Sequence, residues 1–188
     1  MSRLIGALLF WTLILCACTT IPVSPQPVPL SATDTPFAIP TTAVPPDTQN
    51  CGYQWAYQDL PELSSSFQQS IRALQPDAQA YAFAFGENCI LNDGSVARFI
   101  PMETDFNITL PVGDAASDEQ MGEWIVKIMQ VIEAIPTEQI LGPRPGRVSI
   151  MFQSDTTQRG VNFYRDQYQA LPPGLSNAEI YQTLQSSQ

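Results

Sequence analysis

The chain predicts an α+β domain in which a largely antiparallel sheet, built from two hairpins, carries its helices packed on one face. Three observations lead there. Two stretches repeat apolar residues at spacings of three and four, turn signals separate short alternating segments, and strand-helix-strand alternation does not run through the sequence. The first stripe is Leu60, Leu63, Phe67, Ile71 and Leu74. Asp59 stands where a cap belongs and Gln75-Pro76 where a helix stops.

Tyr81, Phe83 and Phe85 then alternate with Ala80, Ala82 and Ala84. Large side chains on one face and methyls on the other describe a central strand whose alanine face lets another element approach closely. Asn92-Asp93-Gly94 tolerates the positive φ of a tight hairpin turn. The return strand covers 96–102 and continues to 112, with a bend or bulge near Pro101 and with Phe106, Ile108 and Leu110 inward. The clearest helix spans 118–135. Ser117 and Gln120 fit a capping box, Met121, Trp124, Ile125, Ile128, Val131, Ile132 and Ile135 form its apolar face, and Glu123 and Lys127 pair on its outside. A loop to Arg147, a strand through Val148, Ile150 and Phe152, and a partner strand over 161–169 make the second hairpin. Ser176 caps a last helix with Ile180, Tyr181 and Leu184.

Composition narrows the chemistry. The 188 residues carry a formal charge of −10, one unit more negative without Arg3, and only one lysine, Lys127. Such a surface repels phosphate backbones, so nucleic acid is not expected as a partner. Histidine is absent. Ser-His-Asp and Cys-His catalysis and His-ligated metals are thereby excluded, no cofactor or metal site is expected, and no residue is assigned a catalytic role.

Residues 1–17 combine Arg3 with an apolar run over 4–15, too short for a permanent membrane span. They end in Leu15-Cys16-Ala17 before Cys18, which resembles the lipobox of bacterial lipoproteins. The resemblance covers the leader alone. It implies lipidation of Cys18, export, and a domain held by its lipid on a bacterial membrane and facing the periplasm or cell exterior. With Cys16 lost and Cys18 acylated, Cys51 and Cys89 remain as the pair for a disulfide in an oxidising compartment. Residues 18–50 hold eight of the 17 prolines and only Asp34 and Asp47 as charges, the composition of an extended tether. The single globular domain is placed at 51–188.

Three constellations stand out in that domain. Glu87, Asp93, Glu103 and Asp105 lie on or beside the first hairpin, where carboxylates can bind a cation or act as acid and base, or simply remain solvated. Arg144 and Arg147, on a loop stiffened by Pro143 and Pro145, could meet an anionic group, or could pair like Arg159 and Arg165 with the chain's own acids. Tyr53, Trp55 and Tyr57 either line an exposed edge strand or, pinned by the disulfide, seal one end of the core, and the seal is the preferred reading. The expected function is a membrane-anchored extracytoplasmic binding or interaction module of a bacterial cell envelope, with an envelope protein or glycan as partner. A carboxylate-based envelope hydrolase and a purely structural envelope lipoprotein are the alternatives.

Overall fold

A computed structural model describes residues 51–114 and 116–186. The leader, Cys18 and the proline-rich segment lie outside these residues. The elements are β1 (Gly52–Asp59), α1 (Pro61–Leu74), β2 (Gln79–Ile90), β3 (Val96–Pro111), α2 (Asp118–Glu133), a 3-10 turn (Thr137–Gln139), β4 (Arg147–Gln153), β5 (Gln158–Tyr164), α3 (Arg165–Gln169) and α4 (Asn177–Ser186). The five strands form one sheet in the spatial order β1-β2-β3-β4-β5. The protein is α+β, with a mostly antiparallel sheet.

One face of that sheet holds the core. Ala80, Ala82, Phe106, Ile108, Leu110, Val148, Ile150, Phe152, Val161 and Phe163 are all buried against Leu63, Phe67 and Ile71 of α1, the apolar stripe of α2, and Tyr181 and Leu184 of α4. Alanine on β2 leaves room for the α1 stripe, and Phe67 meets Phe106 edge to face at 5.1 Å. The capping box at Ser117 and Gln120 and the 2.7 Å pair of Glu123 with Lys127 are present.

Four expectations need correction. The sheet is mixed, because β4 lies parallel to β3 from Phe106 to Pro111. After β3, α2 carries the chain back across the helix layer, so β4 enters in the same direction, a crossover between the two hairpins. An additional strand, β1, joins the sheet at its edge. Asp59 does not cap α1. It is still paired with Phe83 as the end of β1, so Leu60 takes the cap position without a side-chain bond and Pro61 supplies the helical φ. The last strand stops at Tyr164, opposite Arg147, because β4 offers nothing further to pair, and the chain turns into α3. At Pro101 the expected irregularity is found: Phe85 faces Glu103 and Gly86 faces Pro101, leaving Met102 as the bulged residue.

Side chains finish the sheet edges that strands leave open. β1 pairs β2 only as far as Phe83. Beyond it, Ser64 Oγ accepts from Ala82 N at 3.0 Å and donates to Ala82 O at 2.8 Å, while Gln68 accepts from Ala80 N at 2.8 Å and donates to Ala78 O at 3.0 Å. α1 therefore sits beside β2 rather than over β1. Every residue of β1 except Ala56 is exposed.

Candidate functional site

Directly opposed residues of neighbouring strands share a face, which assigns the side of the sheet away from the helices. Tyr57, Phe85 and Glu103 form one row across β1, β2 and β3, Asp59, Phe83 and Asp105 the next, and Tyr81, Asn107, Ser149 and Asn162 a third. The three constellations singled out in the sequence thus meet on one surface. Aromatic rings fill its β1–β2 half, two carboxyls sit at its middle on β3, and the arginine loop borders the carboxyls.

The rings form an unbroken ladder. Trp55 stacks on Phe85 at 5.2 Å, Tyr57 touches Phe85 at 5.2 Å and Phe83 at 5.1 Å, and Tyr81 follows Phe83 at 6.1 Å. Trp55 remains 59% exposed, Tyr57 65% and Tyr81 55%, and among the described residues nothing packs over them. The expectation that Tyr53, Trp55 and Tyr57 seal the core is therefore overturned. Ala80 and Ala82 face the helices, so the large side chains of β2, and those of β1 paired with them, must point the other way. The alternation of alanine with aromatics marked two unlike faces in the sequence, and the helices packed on the alanine face decided which of them is open.

Glu103 and Asp105 are buried although they lie on the open face. The segment ahead of β4 runs along the part of β3 that β4 does not reach. Thr104 Oγ1 donates to Leu141 O at 3.0 Å and accepts from Leu141 N at 2.8 Å, Arg144 N donates to Met102 O at 3.0 Å, and Arg147 N donates to Asp105 Oδ1 at 2.8 Å. The guanidinium of Arg147 lies 3.8 Å from Asp105 Oδ2. Burial lifts the Glu103 carboxyl above its ordinary value, the Asp105 charge lifts it further, and Arg144 and Arg147 pull it back. Burial also raises Asp105, against the Arg147 amide and charge.

The other members of these constellations are elsewhere or employed. Asp93 turns the hairpin by accepting from the Ser95 amide and hydroxyl, which holds its carboxyl low. Glu87 stands half-buried between Trp55 and Ile100. Arg159 bonds Asp118 at 2.8 Å and lies over the Tyr181 ring, tying β5 to α2 and α4. Arg165 donates its amide to Gly146 O. Cys51 and Cys89 are joined by a disulfide, with Cα atoms 5.0 Å apart, at the end of the aromatic ladder. Among the described residues no group of three His, Cys, Asp or Glu could hold a metal ion. A depression of about 610 Å³ lies where β1 runs into α1, lined by Gln58, Asp59, Glu62, Ser66, Glu138 and Leu141. Its acidic wall suits no anion.

The raised carboxyls set a pH dependence of known sign. A folded chain that keeps a proton where the unfolded chain has lost it becomes less stable as pH rises through that window. Glu103→Gln removes one such contribution. Its melting midpoint should gain on that of the unmodified protein as pH rises from about 4 to about 7. The lowered carboxyls Asp93, Asp114, Asp118 and Glu179 act in the opposite sense, but they are present in both proteins and cancel in the difference. Thermal melts of the two proteins across this range are the check, and a flat difference would contradict the account.

Comparison with family models, curated proteins and solved structures finds no match for this chain.

Proposed function

We propose that this chain is a membrane-anchored, extracytoplasmic interaction module of a bacterial cell envelope, and that the open face of its sheet is the contact surface. The observation that carries this reading is the aromatic ladder of Trp55, Phe85, Tyr57, Phe83 and Tyr81, in which Trp55, Tyr57 and Tyr81 stand exposed while Phe67, Phe106, Phe152, Phe163 and Tyr181 are buried on the opposite face. Contiguous exposed apolar surface of this kind is characteristic of interaction sites, and Trp and Tyr are the side chains that most often dominate binding. The ligand is uncharged or cationic, since the chain carries −10 and the face has two carboxyls at its centre. Its apolar side rests on the rings while Asn107, Ser149 and Asn162 offer hydrogen bonds alongside.

The test compares the full chain in detergent with the double variant Trp55→Ala, Tyr57→Ala for retention on insoluble cell-wall glycan and on immobilised envelope proteins. Loss of a central aromatic anchor commonly costs about 2 kcal/mol, so affinity should fall about 30-fold or more. Melting should fall only slightly, because both rings are exposed. Equal retention of the two proteins on both materials would remove the surface from consideration. The anchor has its own check: Cys18→Ala should release the protein from membranes or block its processing, whereas Cys16→Ala should leave it attached and labelled by fatty acid.

A second reading, a carboxylate-based envelope hydrolase, draws on the raised Glu103 and Asp105 side by side on β3. It requires Glu103→Gln to abolish turnover of an envelope substrate, while the binding reading requires Glu103→Gln to keep the ligand.

A further inference from the structure

We propose that β1 is a pairing edge for a second copy of this chain, joining two sheets antiparallel through β1 about a two-fold axis at Ala56. An edge strand presents a row of unpaired N–H and C=O groups that will template another strand unless something blocks it. The fold blocks the comparable edges. Ser64 and Gln68 cover the stretch of β2 beyond β1, and the chain from Leu141 to Arg147 covers the stretch of β3 beyond β4.

β1 has no such device. Its eight residues pair with β2 in one unbroken register and contain no proline, lysine or arginine. Among the described residues, Tyr53 to Gln58 make no hydrogen bond on the outer edge. Gln54 and Gln58 are exposed on the helix side, so α1 does not block a strand arriving beside them.

The side chains of β1 are complementary to themselves. In an antiparallel pair centred on Ala56, Trp55 faces Tyr57 of the second copy, Gln54 faces Gln58, and Tyr53 faces Asp59. The ring ladder then continues across the axis on one face, glutamines exchange hydrogen bonds on the other, and the only charge on the strand meets a phenol instead of its own copy. The neighbouring register, centred on Trp55, sets both glutamines against Gly52 and Ala56, which have no polar side chain, and brings Asp59 onto Cys51. Of these two registers the one centred on Ala56 matches rings with rings and glutamine with glutamine. This pairing uses the strand's backbone edge, so it is independent of what the open face binds.

The test is made on the full chain in its own membranes. Ala56→Cys places two thiols opposite each other at the axis, within disulfide reach. Mild oxidation should give a covalent dimer at least about tenfold more readily than with Gln54→Cys, which has a glutamine opposite it, or with Glu133→Cys at the end of α2. A second measurement needs no new thiol. Sedimentation in detergent should show the unmodified chain as a dimer and Ala56→Lys, which sets two like charges on the axis, as a monomer with its Cys51–Cys89 disulfide intact. Cross-linking equal at all three positions, absent at Ala56, or a monomeric unmodified chain at about 100 µM, a concentration at which even micromolar association would be complete, would each overturn the proposal.

Discussion

Replacing Cys51 and Cys89 together by serine should lower the unfolding free energy by about 4 kcal/mol, the chain-entropy value for closing a loop of this length. The bond spans a sequence separation of 38 that contains β1, α1 and β2 up to its penultimate residue. For a domain of this size the midpoint of thermal unfolding should drop by about 12 °C. The loss should not be uniform. β1 touches the rest of the protein through β2 and is exposed on both faces, so it should fray first and release Trp55 from Phe85. Tryptophan fluorescence should therefore change before the far-ultraviolet signal of the helices, and retention by the aromatic face should weaken. A reduced or serine-substituted protein melting within a degree or two of the native one would contradict the assigned role.

Gly142→Ala should be nearly as damaging, at about 3 kcal/mol, because two penalties combine there. The residue has φ +86°, and a Cβ would lie 2.2 Å from the Met102 carbonyl carbon and 2.5 Å from the Glu103 nitrogen. The segment would have to lift off β3, breaking the bonds of Leu141 with Thr104 and of Arg144 with Met102. Water would then reach Glu103 and Asp105, and their titration should return toward ordinary carboxylate values. Gly94→Ala is the control. It has φ +83° but nothing within 4 Å, so it should cost only the backbone strain, about 1 kcal/mol. Equal destabilisation by the two substitutions would mean that the close approach to β3 contributes nothing.

Much of this arrangement was legible in the residues, because the relevant forces are local. The stripe Leu63, Phe67 and Ile71, the capping box at Ser117, the Asn92-Asp93-Gly94 turn and the inward set Phe106, Ile108 and Leu110 each follow from periodicity or backbone preference within a short window. The site was legible only as three unconnected groups. Their union on one face depends on strand register, which brings Tyr57, Phe85 and Glu103 into line from three parts of the chain.

By itself the sequence determined the helices α1, α2 and α4, the first hairpin, the cysteine pair, the acidic charge and the absence of histidine chemistry, since composition and local pattern carry that information. Only the tertiary structure decided that β4 runs parallel to β3, that Asp59 ends a strand rather than capping a helix, and that Tyr53, Trp55 and Tyr57 face away from the core. The physical reason is common to all three. An alternating segment states that it has two faces, but which face is buried is settled by whichever element packs there, and α1 and α2 pack on the alanine side of β2.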